Sequence, residues 1–176
     1  MSDKDLAKKQ QKELTEEPFS VKNFLKNLGV SFHFLKDEDV VKILANKEVV
    51  DTIKKYKKYE GWSVGAFAEK IVKAAYYLRD EEAITEIART IGKYKGEAEK
   101  IAEMIAESAY KLKDKDKVIK ICKILGMDEI VNTIGKYEGY AAKEIAEMIA
   151  ESAYKLKDKD EIIKISKILG IWCLRY

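Results

Sequence analysis

The sequence predicts an all-α protein built from repeated helical hairpins. The segment IAEMIAESAYKLKDKD occurs twice without a change, at residues 101–116 and 145–160. Apolar residues recur at helical spacing on both sides of a short polar interruption in this segment. The same interruption is present at four places in the chain. Self-similarity of this kind is typical of helical hairpins that stack into an array.

The repeated unit extends over residues 101–126 and 145–170, which differ at only three positions. Its pattern predicts a helix, a tight turn at Leu112-Lys113-Asp114 and a second helix. Asp114 can accept hydrogen bonds from free amides at the start of the second helix, and Gly126 suits its end. The apolar residues that carry the pattern are Ala102, Ile105, Ala106, Ala109, Val118, Ile121, Cys122 and Leu125.

Four such turns divide the chain into hairpins over residues 21–48, 65–92, 99–126 and 143–170. The leucines that open the turns stand at 35, 78, 112 and 156, which gives steps of 43, 34 and 44 residues. The two longer steps contain related inserts at residues 48–53 and 129–134, which we expect to be extra helical segments after hairpins 1 and 3. We therefore interpret the chain as a duplicated block of two hairpins.

These hairpins resemble the tetratricopeptide repeats, whose first helix reads W-x2-L-G-x2-Y and whose second reads A-x3-F. The best match is Leu25-x2-Leu28-Gly29-x2-Phe32, followed by Val41-x3-Ala45. In this match Gly29 lies inside a helix and permits close helix packing instead of ending the helix. The resemblance implies a right-handed superhelical array, an α-solenoid, whose first helices line a concave groove.

The chain departs from that family in three ways. Basic residues (Lys36, Arg79, Lys113 and Lys157) occupy the turn position where the family favours glycine, no repeat ends in proline, and two steps exceed 34 residues. A generic helical solenoid with the longer pitch of HEAT or armadillo repeats is therefore the alternative fold.

Residues 18–176 are expected to form a single helical-repeat domain, with Ser20 capping the first helix. Residues 1–17 are polar and are predicted to form a solvated helix that ends before Pro18, or else to stay disordered until a partner orders them. The apolar tail at residues 171–176 is predicted to fold back as a lid on the last hairpin; the alternative is docking into another subunit.

No apolar run reaches the length of a membrane span, and the first residues lack the apolar stretch of a signal peptide. We therefore expect a cytoplasmic protein that makes no contact with membranes. Cys122 and Cys173 do not suggest a disulfide framework, and Cys122 is predicted to be a small buried side chain.

Nothing in the sequence predicts catalysis, a metal or a cofactor. His33 is the one histidine and takes the place that tyrosine takes in the other hairpins, so we expect an ordinary ring at or near the surface. The segments at residues 92–96 and 135–139 contain Gly-Lys but lack the spacing of a phosphate-binding loop, so they are interpreted as connectors. The protein is expected to be non-enzymatic.

The resemblance implies a groove that displays tyrosine, glutamate and lysine side chains from the first helices. Tyrosine offers contact area at low entropy cost and glutamate can pair with basic groups, so a basic or amphipathic peptide or protein is the expected partner. In the alternative, the tyrosines pack between hairpins and the charges solvate helices. The groove residues are Glu69, Lys73, Tyr76, Tyr77, Glu103, Glu107, Tyr110, Lys111, Glu147, Glu151, Tyr154 and Lys155, with Lys100 and Glu144 beside them.

A second hypothesis is accessory nucleic-acid binding by a lysine row on the outer, convex face of the second helices. A net charge of only +3 and the near absence of arginine weaken it. Self-assembly into a homo-oligomer through the apolar tail is the third hypothesis. The row consists of Lys115, Lys117, Lys120, Lys123, Lys159, Lys164 and Lys167.

Overall fold

A computed structural model describes residues 19–56, 63–94, 97–137 and 139–172. Over these residues the chain forms ten α-helices, one 3₁₀ turn at His33–Lys36 and no strand, which confirms the predicted all-α class. None of the described helices is long and apolar enough to span a bilayer. The helices are α1 (Val21–Asn27), α2 (Glu38–Leu44), α3 (Lys47–Tyr56), α4 (Ser63–Leu78), α5 (Glu81–Gly92), α6 (Ala98–Leu112), α7 (Lys115–Leu125), α8 (Asp128–Gly135), α9 (Tyr140–Leu156) and α10 (Lys159–Trp172).

Three of the predicted hairpins are pairs of helices, namely α4 with α5, α6 with α7, and α9 with α10. The aspartate of each turn begins the second helix, as the sequence predicts. Asp80 accepts from the Ala83 amide at 2.9 Å, and Asp114 accepts from the Lys117 amide at 3.1 Å. Asp158 caps α10 in the same way, and Asp37 caps α2. These caps satisfy amides that have no partner within their helix.

The basic residue before the aspartate adopts a left-handed backbone in these three hairpins. The φ angles are +48° at Arg79, +47° at Lys113 and +55° at Lys157. The turn therefore uses the conformation for which the family favours glycine, although a side chain is present. Lys36 does not share it, because it belongs to the 3₁₀ turn.

The first hairpin differs from the prediction. Gly29 ends α1 and does not lie inside a helix, because its φ is +79° and the Val30 amide donates back to the Leu25 carbonyl at 3.0 Å. The Gly29 amide bonds the Lys26 carbonyl at 2.9 Å, which completes a Schellman motif. A side chain added at Gly29 would meet no atom within 4 Å, so close packing is not the reason for the glycine. Ser20 does cap α1, as predicted.

Both predicted inserts are helical, as α3 and α8, and they pack alike. The insert α3 packs on α4 and α5, and α8 packs on α9 and α10. The preceding second helices α2 and α7 also match, since they pack on α4 and α9. These contacts recur in the two halves of the chain, as a duplicated two-hairpin block predicts, although α2 also packs on α5 and α7 has no extensive contact with α10.

Successive hairpins pack first helix on first helix. The helix α6 lies between α4 and α9, and α7 packs on α5. Alanines at equivalent positions are buried in this layer and allow close approach: Ala68 and Ala75 on α4, Ala102 and Ala109 on α6, and Ala146 and Ala153 on α9. This packing pattern is compatible with a helical array.

Tyrosine hydroxyls at the ends of α3 and α5 connect these helices to their neighbours. The motif Thr-Ile-x-Lys-Tyr ends α3, α5 and α8, at residues 52–56, 90–94 and 133–137. The Tyr56 hydroxyl donates towards the carbonyls of Ile91 and Tyr94, and the buried Tyr94 hydroxyl donates to the Leu125 carbonyl. These bonds tie α3 to α5 and α5 to α7.

Cys122 is buried in the core, which confirms its prediction. Its twin Ser166 is also buried, and its hydroxyl contacts the Thr133 hydroxyl at 3.0 Å. The helix α10 continues through Gly170 to Trp172, two residues beyond the predicted end of the last hairpin. The polar segment 1–17, parts of both Gly-Lys connectors (95–96 and 138) and the tail from Cys173 onwards lie outside the described residues.

Candidate functional site

The twelve predicted groove residues lie four each on α4, α6 and α9. These helices pack side by side, so the structure places the twelve side chains on neighbouring helices. All are exposed or half-buried. We call this set the first-helix surface.

Aromatic rings run without a break from the 3₁₀ turn to α6. The Tyr76 ring stacks on Phe34 with centroids 4.0 Å apart, Tyr76 meets Tyr77 at 5.3 Å, and Tyr77 meets Tyr110 at 4.9 Å. Tyr110 is 52% exposed at the end of this chain of rings. The tyrosines thus pack on one another between hairpins, as one of the two alternatives drawn from the sequence predicts, and Tyr110 is also exposed.

Basic groups lie over several of these rings. The Lys111 Nζ is 5.5 Å from the Tyr154 centroid, and the Arg79 guanidinium is 5.1 Å from the Tyr76 centroid. Such cation–π contacts hold flexible basic side chains against the aromatic faces. The contact between Lys111 of α6 and the Tyr154 ring connects this group of side chains to α9.

Every predicted glutamate of the first-helix surface already has a lysine partner. The Nζ to carboxylate distances range from 2.7 Å to 3.7 Å. Two of these ion pairs join neighbouring helices, Lys70 with Glu103 and Lys100 with Glu147, and the bond to Glu147 raises the pKa of Lys100. The surface is therefore charge-balanced and not acidic. The other three pairs lie within one helix: Glu69 with Lys73, Glu107 with Lys111, and Glu151 with Lys155.

A cavity of about 350 Å³ opens between α4 and α6 on this surface. Five predicted residues line it: Lys73, Tyr77, Glu103, Glu107 and Tyr110. Its walls therefore offer aromatic faces, carboxylates and ammonium groups within one small volume.

Sequence reasoning missed several residues of this region. Lys70 and Met104 line the cavity, and Phe32 lies under the Lys73 ammonium at 5.3 Å. Lys70 and Met104 stand at the same repeat position, eight residues before the leucine of their turn. That shared position was the available signal for both.

The predicted lysine row lies on α7 and α10, and all seven side chains are exposed. Lys115 pairs with Asp80 at 3.0 Å and Lys117 with Asp114 at 3.0 Å. The other five make no ion pair with any residue that the structure describes: Lys120, Lys123, Lys159, Lys164 and Lys167.

The row is divided between two separate neighbourhoods. The helix α7 packs on α5, α6 and α9, whereas α10 packs on α8 and α9, and the two lysine helices share no extensive contact. A cavity of about 660 Å³ places Lys123 beside Glu81, Glu82 and Glu86 of α5. Acidic side chains thus flank one end of the row.

Two other candidate side chains sit in ordinary surroundings. His33 is exposed, with its ring centroid 3.8 Å from that of Phe34. Burial raises the pKa of the Cys122 thiol, so the sulfur stays protonated in the core. Within the described ranges no cluster of three His, Cys, Asp or Glu side chains is arranged to hold a metal ion.

No family model matches the chain, and no curated protein or solved structure matches it either. The fold places it among all-helical proteins, with ten α-helices along its described residues.

Proposed function

We propose that this protein is a non-enzymatic interaction module that binds an amphipathic, basic peptide segment of a partner protein on the first-helix surface. The observation that carries the proposal is the chain of rings from Phe34 to Tyr110 beside the cavity between α4 and α6. Aromatic side chains with an exposed edge supply much of the binding energy at protein interfaces.

The ion pairs of the glutamates indicate which of these carboxylates can contact the ligand. Glu103 and Glu147 bridge helices, so they contribute to the scaffold. Glu107 and Glu151 pair only within their own helices and are exposed. Exposed ion pairs contribute little stability, so a basic ligand group replaces their lysines at small cost. Apolar ligand side chains then contact the rings while basic ones reach Glu107 and Glu151.

We further infer a right-handed, tetratricopeptide-like array as the scaffold of this surface. Support comes from the packing of first helix on first helix and second helix on second helix between α4–α5 and α6–α7. The left-handed turn residues, which stand where the family favours glycine, also support it. The insert helices α3 and α8 have no counterpart in a simple tetratricopeptide repeat.

Selection of random peptides displayed on phage tests the proposal. Peptides selected on the wild-type protein are expected to be amphipathic and basic, and to lose about ten-fold or more of their affinity for Tyr110→Ala or Glu107→Lys. Both positions are exposed, so the fold should tolerate the changes. The control is Tyr140→Ala, which removes a 76% exposed tyrosine outside the surface. Equal binding to all four proteins would reject the first-helix surface as the site.

Accessory nucleic-acid binding is the second candidate. It is favoured by the five lysines of α7 and α10 that have no ion-pair partner in the described chain. Binding through phosphates would weaken steeply as salt rises, and Lys120→Glu or Lys164→Glu would reduce both the affinity and the salt slope. Tyr110→Ala should leave that binding unchanged, which separates the two functions. Absence of a salt-dependent complex with single- or double-stranded oligonucleotides would exclude this candidate.

A further inference from the structure

The last hairpin nearly repeats the sequence of α6–α7, so equivalent side chains report on differences in their neighbours. Ile124 on α7 is 3% exposed, whereas its twin Ile168 on α10 is 54% exposed. Ser108 on α6 is buried, whereas its twin Ser152 on α9 is partly exposed. Because the residues are the same, the difference reflects what packs on each hairpin.

The residues that differ in exposure include the side of α6 that faces α9. Lys100 on this side of α6 reaches Glu147 of α9 at 2.7 Å, and Met104 and Ser108 follow at steps of four residues along the same stripe. The helix α9 and its hairpin are the neighbours that follow in the chain. They cover this stripe.

The same face of the last hairpin lacks such a neighbour. The helix α7 packs on α5, α6 and α9, whereas α10 packs on α8 and α9. Within the described residues no helix takes the position on α10 that α9 takes on α7. Met148 is 51% exposed and Leu156 is 42% exposed on the stripe of α9. We call Met148, Ser152, Leu156 and Ile168 the end face. Its residues are the twins of Met104, Ser108, Leu112 and Ile124 on α6 and α7.

Charges at the two ends of the α9 stripe indicate how a helix would lie on the end face. Glu144 stands near one end and Lys155 near the other, and both are exposed. If two copies of α9 pack antiparallel, a two-fold axis between Met148 and Ser152 brings each Glu144 opposite Lys155 of the other copy. Parallel pairing would instead place like charges together, which is unfavourable.

Among the residues that the structure describes, the opposite end of the chain offers no equivalent surface. A covering hairpin needs a long first helix such as α9, but the first hairpin has only the short α1 and a 3₁₀ turn. Head-to-tail stacking would also leave open ends and produce filaments, whereas a two-fold contact closes on itself. The self-complementary charges therefore favour the closed arrangement.

We propose that the end face binds a second copy of this chain, in a two-fold dimer in which the α9 helices pack antiparallel through Met148, Ser152 and Leu156, with Ile168 at the margin. The end face adjoins the first-helix surface on α9, and Lys155 belongs to the first-helix surface as well. The dimer proposal does not rest on peptide binding. Its small apolar area corresponds to a weak, concentration-dependent dimer.

Sedimentation equilibrium of the full-length protein from about 1 to about 500 µM tests this proposal. The mass is expected to rise from 20.2 kDa towards twice that value. Ile168→Glu and Met148→Glu should remain monomeric with an unchanged circular dichroism spectrum, because both side chains are exposed. Lys136→Glu, an exposed change directly after α8, is the control and should dimerise as the wild type does.

A charge swap tests the antiparallel geometry. Glu144→Lys and Lys155→Glu should each weaken dimerisation about ten-fold, since each single change disrupts both symmetric pairs. The double variant restores opposite charges and should recover the wild-type association. A wild-type protein that stays at 20.2 kDa throughout would overturn the proposal, as would a dimer that persists in Ile168→Glu or a double variant that is not restored.

Discussion

Three turn positions hold a basic side chain in a conformation that suits glycine. Arg79, Lys113 and Lys157 all have φ near +50°. An L-residue pays roughly 1–2 kcal/mol there, because its Cβ crowds the following carbonyl. Arg79 gains a contact in return, an ion pair with Asp37 at 2.7 Å, whereas no described residue forms an ion pair with Lys157.

Lys157→Gly is expected to stabilise the protein. The free-energy cost of the left-handed backbone at Lys157 is larger than the cost of the extra freedom that glycine gives the unfolded chain. The free energy of unfolding should therefore rise by about 0.5–1 kcal/mol. Urea titration followed by circular dichroism measures the change. Lys155→Gly, two residues earlier inside α9, is the matched control and should destabilise by about 1 kcal/mol. Equal effects of both changes would contradict the role of the turn conformation.

Tyr94→Phe is expected to destabilise the array by about 1–2 kcal/mol. The change removes the hydroxyl that donates to the Leu125 carbonyl in a buried site, and the carbonyl is then left without this partner. Thermal denaturation measures the effect. Tyr110→Phe removes a hydroxyl from a half-exposed ring and should change stability little. A Tyr94→Phe protein as stable as the wild type would show that the contact does not hold α5 to α7.

Residue-level prediction from sequence succeeded where the signal is local. An aspartate followed by a helical pattern identifies a cap, and Asp37, Asp80, Asp114 and Asp158 all act as caps. Gly29 could not be assigned in this way, because a glycine that ends a helix and one that permits close packing look identical in sequence. The choice depends on whether the Val30 amide reaches the Leu25 carbonyl, which is a property of the folded backbone.

At the scale of single helices, the Asp80 cap connects stability with pH. Partial burial acts to raise the pKa of this carboxyl, but the Ala83 amide and Lys115 lower it more, and the net pKa lies below the ordinary 3.8. A lowered folded-state pKa means that the ionised cap stabilises the fold above the unfolded pKa and that this contribution is lost as the pH falls through the folded value.

Asp80→Ala should therefore lower the free energy of unfolding by about 1 kcal/mol at neutral pH. The deficit relative to the wild type should shrink as the pH drops below the ordinary carboxyl value of 3.8. Denaturant titrations at several pH values measure it. Asp80→Asn retains a capping oxygen, so it should keep most of the stability and lose the pH dependence of this site. A deficit that is independent of pH would exclude the charged cap as its cause.

Helix boundaries and inserts were predictable to within a few residues, but contacts between helices were not. Lys70 and Glu103 stand on different helices, and their 3.4 Å contact depends on how α4 and α6 are aligned. The sequence consequently predicted glutamates that can pair with basic groups of a partner, whereas the folded surface pairs each of its glutamates with lysine. The tyrosines were identified because their repeat position recurs, which can be seen in the sequence without knowing how the helices pack.

For the molecule as a whole, duplication explains the architecture. The same neighbours recur around α3 and α8, and α2 and α7 each pack on the long first helix of the following hairpin. The leading hairpin of the first block has only the short α1 and a 3₁₀ turn where the second block has the long α6. The helices α4, α6 and α9 bury alanines in the layer that they share, so contacts between neighbouring helices stabilise the fold. The last hairpin leaves Met148, Leu156 and Ile168 exposed, and the first-helix surface leaves Tyr110 exposed. The two proposed interactions use these two surfaces.

Peptide binding on the first-helix surface is best tested by mapping with nuclear magnetic resonance. Backbone amide shifts would be followed while a selected amphipathic, basic peptide is titrated into the ¹⁵N-labelled protein. We expect the perturbed amides to cluster along α4, α6 and α9 near Tyr77, Glu107 and Tyr110, and Tyr110→Ala to abolish saturation. Perturbations confined to the lysines of α7 and α10, or to the end face, would contradict it.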